Sequence, residues 1–208
     1  MERQYWSLIL SFSQYLILIT KLSRYFCEMG INNFHRIPVD FSLCKEMLEK
    51  LGELRLFSRG EYFARSGEVM EYAGWMVSGG FKYSLMSSDG NNRVIGFFLD
   101  DSLLIDYESV MNFTKMRTDI IALEDSEVIV IPAKIMREKL NRDHELNMNL
   151  MMGLFEQLYD QFLVFCSQTP DQKYLRLLDR YPRITEIASY GDIASYLNIC
   201  RRQLRRIN

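Results

Sequence analysis

Between residues 54 and 131 the hydrophobic period falls to two, and this stretch leaves few folds open to the chain. The runs are Leu54–Phe57, Glu61–Ala64, Tyr72–Val77, Phe81–Met86, Val94–Leu99, Asp119–Leu123 and Val128–Ile131. Turn residues separate them: Arg59-Gly60, Ser66-Gly67, Gly79-Gly80, Asp89-Gly90-Asn91-Asn92 and Glu124-Asp125. A period of two sends alternate side chains to opposite faces of a strand, and Asp-Gly accepts the positive φ of a tight hairpin. Many short strands at regular spacing predict an antiparallel β-roll or sandwich. The glycines are explained as turns, without a ligand.

On both sides of this stretch the period is helical. Over residues 38–52, Phe41, Cys44, Leu48 and Leu51 recur at spacings of 3, 4 and 3, and Gly52 closes the helix. Pro132 opens the next helical sequence. From His144 to Phe165, the residues Met148, Met151, Phe155, Leu158, Phe162 and Phe165 are spaced 3, 4, 3, 4, 3, a heptad seam. Leu150, Met152, Leu154 and Leu163 broaden it, so one face is expected on the roll and the other on a second copy of the chain. A helix packed only on its own domain would leave the seam wet. Thr169-Pro170-Asp171-Gln172 then reads as a capped helix start that runs to a stop before Tyr181-Pro182.

The chain has 208 residues, 48% of them hydrophobic, enough for a core and for one or two domains. Its net charge of -2 hides an asymmetry. From Lys173 to the end, eight basic residues stand against three acids, a local charge of +5 on an otherwise acidic chain. Such a basic end suits a polyanion, although a solvated helical face would show the same charge. Cys27, Cys44, Cys166 and Cys200 form no CxxC pair, so reduced thiols in the cytoplasm are expected rather than a disulfide or zinc framework. His35 and His144 are isolated. Residues 1–37 are an apolar extension; Tyr5–Thr20 is short for a membrane span and is interrupted by Ser7, Ser11, Ser13 and Gln14. An early start codon, with Met29 as the true start, would account for the extension equally well.

The last segment, ASYGDIASYLNICRRQLRRIN, carries the functional signal. Ser189 stands three residues before Asp192, a capping-box spacing. The helix expected over Asp192–Leu197 turns Ile193, Ala194 and Leu197 inward. Asn198 tolerates the left-handed backbone of a turn, Ile199 plugs it, and a second helix begins near Cys200 with Leu204 and Ile207 inward. Small Ala194 permits a close helix crossing. The spacing is that of a helix-turn-helix, and Arg201, Arg202, Arg205 and Arg206 fall on the outer face, where guanidinium groups suit guanine edges and phosphates. A basic capping helix with no DNA role is the bland alternative.

RGEYFARSGE, SSDGNN, LLIDYES, IIALEDSEVIVIP, TPDQKYLRLLDRYP and DIASYLNICRRQLRRI together resemble the cyclic-AMP receptor protein/fumarate-nitrate regulator (Crp/Fnr) family, from about Pro38 to the end. The resemblance implies an α+β chain with a cyclic-nucleotide-binding-type antiparallel β-roll over 38–143 and a long dimerisation helix over 144–168. A C-terminal helix-turn-helix of winged-helix type would occupy 169–208. Its DNA contacts would be Arg201, Arg202 and Arg206 on bases, with Gln203 and Arg205 on the backbone. The effector pocket would lie at Ile105, Asp106, Tyr107, Met116 and Arg117. The dimer interface would use Met148, Met151, Phe155, Leu158, Phe162 and Phe165. Implied partners are double-stranded DNA, a second copy, RNA polymerase and an unidentified small effector, with no membrane, cofactor or metal.

Three departures qualify this picture. Cyclic-AMP binders of the family use a Gly-Glu-Leu turn and a downstream arginine, where this chain has Ile105-Asp106-Tyr107 and Met116, with Arg117 one place off. An anionic phosphate needs oriented donors and a cation, which methionine does not provide. Cysteines are too scattered for an iron–sulfur cluster. The chain ends close behind the second helix, so the wing is expected to be missing or truncated. Two other readings compete with a DNA-binding regulator: a sensor or interaction module that has lost DNA binding, and a cupin-type enzyme. The latter needs a histidine cluster on adjacent strands, whereas both histidines flank the roll.

Overall fold

The computed structural model describes residues 40–207; the N-terminal extension, with Tyr5–Thr20, Cys27, Met29 and His35, lies outside the described residues. Helix α1 (Ser42–Leu51) is opened by Asp40, whose carboxylate accepts from the Ser42 N–H at 2.8 Å, and closes on Gly52. Cys44 and Leu48 are buried as the spacing predicts, but Leu51 is 46% exposed. It sits instead on the rim of a groove of about 340 Å³ between α1 and the helices that follow the roll.

Eight strands make two antiparallel sheets: β1 (Glu53–Phe57), β8 (Ser126–Pro132), β3 (Tyr72–Ser78) and β6 (Ser102–Leu104) in one, and β2 (Tyr62–Ala64), β7 (Asp119–Ala122), β4 (Gly80–Met86) and β5 (Asn92–Leu99) in the other. Period-two alternation gives each sheet an inner face, and the rings of Phe57, Phe63 and Phe81 meet between the sheets with centroids 5.5–6.0 Å apart. The β4–β5 hairpin turns at Asp89-Gly90, with Gly90 at φ +77°. Asp89 accepts from Asn91 and Arg93, donors that hold its carboxyl below the usual carboxylate range.

Three elements escape the sequence pattern: a strand of three residues and helices of six and four. Strand β6 has three residues, too few to show a period, and is held by pairing of Leu103 and Leu104 with Trp75 and Gly74. Helix α2 (Tyr107–Asn112) has six and exists because the Asp106 carboxylate accepts from the Ser109 N–H at 2.9 Å. After the roll, α3 (Ala133–Arg142) leads directly into α4 (His144–Ser167), which Asp143 caps. The C-terminal part holds α5 (Pro170–Arg180), α6 (Ile184–Ile187), α7 (Tyr190–Tyr196) and α8 (Arg201–Ile207). The Thr169/Gln172 capping box forms as its residues predict.

The described residues pack around two apolar cores. The first fills the roll and takes in Cys44 and Leu48 of α1, Met136 and Leu140 of α3, and Leu146 and Leu150 of α4. The second is shared: Val94, Phe97, Leu99 and Leu123 of the roll pack with Tyr174, Leu177, Ile184, Ile187, Ala188, Ile193, Ala194, Leu197 and Leu204 of the C-terminal helices. Among the described residues, no helix is long and apolar enough to cross a membrane.

Candidate nucleic-acid interface

Helix α7 starts at Tyr190, two residues before the position read from the sequence, because Ser189 is its N-cap. The Ser189 hydroxyl accepts from the Asp192 N–H at 3.0 Å and donates to the Asp192 carboxylate at 2.8 Å. Ser189 thus caps α7 as expected, with the Asp192 carboxylate meeting its hydroxyl rather than its backbone N–H. Asn198 has φ +56°, the left-handed turn assigned to it, and the Ile199 N–H donates back to the Ala194 carbonyl at 3.0 Å. Ala194, at 2% exposure, lies at the crossing of α7 and α8 with Leu197 and Leu204 buried beside it.

The outer face of α8 carries Arg201, Arg202, Arg205 and Arg206, all exposed. Two of the expected contact residues have intramolecular roles here. Gln203 turns its side-chain oxygen back to the Cys200 N–H at 3.0 Å, and so caps α8 where Cys200 offers only a thiol. This bond engages the side-chain carbonyl of Gln203, which is otherwise exposed. The Arg201 guanidinium lies across Gly191, where a Cβ would stand 2.6 Å from Nη2. Arg202, Arg205 and Arg206 remain as the open basic face.

The heptad seam of α4 is divided by burial. Leu146, Leu150 and Gly153 face the roll, with the Phe41 ring laid against Gly153. Leu158, Phe162 and Phe165 are 69%, 59% and 63% exposed, Met151 is also exposed, and Met148 and Phe155 are half-buried. An apolar stripe of this size on one face of a helix is a surface with the character of an interface.

The residues expected at an effector pocket are brought close together, but as core. Ile105 and Met116 are buried in the first core. The Asp106 N–H points at the Met70 sulfur at 3.0 Å, Met116 exchanges backbone hydrogen bonds with Glu68 and Gly67, and Ser109 donates to the Thr114 carbonyl. Tyr107 donates to Asn147 on α4 at 2.9 Å, and Arg117 is exposed. Across the roll, burial pushes the Tyr83 phenol up from its ordinary value, and its ring packs on Phe98 with centroids 4.6 Å apart. Among the described residues, no group of three or more His, Cys, Asp or Glu side chains is arranged to hold a metal ion.

The cyclic nucleotide-binding domain family matches residues 54–143, the roll and α3. Solved structures extend the likeness through the C-terminal helices. FixK2 from Bradyrhizobium japonicum is 17% identical, with a TM-score of 0.63 over 76% of this chain and 82% of that one. The c-di-GMP-responsive regulator CLP of Xanthomonas campestris is 13% identical, with a TM-score of 0.60 over 81% and 89%. A Crp/Fnr-family regulator from Eubacterium rectale is 14% identical, with a TM-score of 0.58 over 80% and 81%. This chain has the Crp/Fnr fold. No curated protein sequence matches it.

Within that Crp/Fnr fold, sequence reasoning missed the residues on which the helix-turn-helix rests. Lys82 on β4 reaches Asp192 of α7 at 2.8 Å. Arg93 donates to Asn198 at 3.0 Å, and the Val94 N–H donates to the Ser195 hydroxyl at 3.0 Å. Phe97 meets Tyr196 with centroids 5.3 Å apart, and burial pushes the Tyr196 phenol up. The signal was present: Val94–Leu99 reads V-I-G-F-F-L, continuously apolar where a strand with one wet face alternates.

Proposed function

We propose that this chain is a sequence-specific DNA-binding transcription regulator of the Crp/Fnr type. In this reading it acts as a homodimer through α4, reads DNA with α8, and answers to an effector other than cyclic AMP. The observation that carries it is the division of α8. Leu204 is buried against α7, while Arg202, Arg205 and Arg206 stand exposed together on the opposite side. A packed inner face and a basic outer face let one helix enter a major groove without disturbing its own fold. Residues 38–143 are assigned to sensing, 144–168 to dimerisation and 169–208 to DNA. The setting is the cytoplasm, where such a regulator meets RNA polymerase. Methionine at position 116, exposed Arg117 and the hydrogen bonds already closed around Asp106 and Ser109 argue against a bound cyclic phosphate.

The test is binding of single alanine variants to a cognate and a scrambled duplex across a salt series. Arg202→Ala is expected to lose roughly 1–3 kcal/mol on the cognate duplex and to relax preference at one base position. Arg205→Ala is expected to weaken both duplexes alike and to reduce the salt slope by about one unit. A dimer presenting two α8 helices calls for half-sites about 34 Å apart. Wild-type binding of both duplexes by Arg202→Ala would remove α8 from the reading role and favour a module without DNA recognition.

A further inference from the structure

The C-terminal helices are attached to the rest of the chain in three places. The first is covalent, through Gln168, an extended residue between α4 and α5. It is braced by an Arg176–Asp160 ion pair and by Lys173, which lies over the Phe165 ring and donates to its carbonyl. The second is Arg183, which meets both oxygens of Glu124 at 2.9 Å and Asp100 at 3.5 Å. The third is the outward face of β4–β5, where Lys82, Arg93, Val94 and Phe97 hold Asp192, Asn198, Ser195 and Tyr196. A tether at Gln168 alone would leave the module free to swing, whereas three separated attachments fix a rigid body in position and angle.

We propose that the outward face of β4–β5 is a seat that sets the orientation of the reading helix, with Lys82 as its positioning residue. The proposal rests on the DNA-reading role of α8. Lys82 pairs with Phe97 across the β4–β5 ladder on the side away from the roll interior, and its ammonium closes on Asp192 with both side chains about one-fifth exposed. Asp192 is itself held by Ser189, so the ion pair engages α7 at its capped end. Partial burial weakens solvent screening, which makes this pair a stronger positional constraint than the open Lys50–Glu46 pair on α1. Lys82 is engaged by Asp192 and acts through α7. The consequence is geometric. A dimer can match two half-sites at one spacing only if each reading helix is held, and a loosened module tolerates several spacings.

The test uses the full chain and a palindromic duplex selected by the wild-type protein from a randomised pool. Derivatives carry one or two extra base pairs between the half-sites, and a further duplex carries a single half-site. Lys82→Met keeps the aliphatic stem and removes the charge; Lys82→Arg keeps both. The expected result is that Lys82→Met narrows the discrimination between correct and altered spacing by about tenfold, within the range of coupled charge pairs. Affinity for the single half-site should stay unchanged, and Lys82→Arg should behave as wild type. A merely structural role would lower binding to every duplex alike. Arg183→Gln, which releases a different attachment, should relax spacing in the same sense. Unchanged spacing discrimination in both Lys82→Met and Arg183→Gln overturns the proposal. If the wild-type chain binds no duplex, the DNA reading fails separately. The seat is then judged by hydrogen exchange: residues 190–207 should exchange faster in Lys82→Met than in Lys82→Arg, and equal exchange overturns it.

Discussion

The two cores of this protein are built on different terms. The first lies between two sheets that the same stretch of chain supplies; strands whose alternation points side chains inward form most of it, and the flanking helices close it. The second has no layer of its own. About one-third of its buried members are roll residues on the outer face of β5 and beside it, and the others come from four short helices more than fifty residues later. A module of some forty residues buries too little surface to stand alone, so the C-terminal helices complete their core on the roll. The comparison teaches that the part expected to touch DNA is the part whose packing is borrowed.

The largest effect should come from cutting one core and then the other. Phe81→Ala removes a fully buried ring in contact with Phe57 and Phe63 and should cost about 4 kcal/mol, lowering a single cooperative transition for the whole chain. Phe97→Ala should cost about 3 kcal/mol but act locally, so that limited proteolysis cuts residues 169–207 while the roll persists. Equal proteolysis of both regions in both variants would erase the distinction between the cores.

A second prediction concerns the surface that neither core covers. Leu158→Glu puts like charges into the apolar α4 seam of a dimer, and sedimentation should shift from dimer to monomer, a loss of about 3 kcal/mol in association. Thermal unfolding of the roll should change little, because Leu158 faces away from it. A dimer that survives would place the interface elsewhere.

Smaller effects sharpen the contrast. Asn198→Val sets a β-branched residue at φ +56° and removes the acceptor for Arg93, so it should cost about 1–2 kcal/mol and be felt in α7 and α8 alone. At the other end, burial pushes the Cys44 thiol up to about 12 from its ordinary 9.0. A folded-state value raised in this way means that stability is intact below pH 9 and falls between pH 9 and 12, as the unfolded thiol ionises first. The loss should reach about 1 kcal/mol by pH 10 and vanish in Cys44→Ala. Site-resolved alkylation in the native state should label exposed Cys166 and Cys200 and spare Cys44.

Local chemistry was legible wherever an element carries its own signal. The Thr169 and Ser189 caps, the left-handed Asn198 and the Asp89-Gly90 hairpin stand where their residue types put them. The inward set of Ile193, Ala194, Leu197 and Leu204 follows from spacing alone. The capping bond of Gln203 was not anticipated: a glutamine beside arginines draws attention as a phosphate contact, while its position three residues after a weak cap also gives it a backbone N–H to satisfy. The burial of Ile105 and Met116 was not legible, because a place in a family pattern says nothing of how tightly the neighbours pack.

By itself the amino-acid sequence determined the roll, the long helix, the helix-turn-helix and the side of α8 that carries charge. Those depend on periodicity, capping and backbone freedom, which act within a few residues. Only the tertiary structure decided that Val94, Phe97 and Leu99 of V-I-G-F-F-L are covered by the C-terminal helices and that Lys82 meets Asp192 across 110 positions of chain. It also decided that the C-terminal helices share a core with the roll. Those outcomes depend on which surfaces meet, and no local pattern encodes the partner of a surface until the chain has closed on itself.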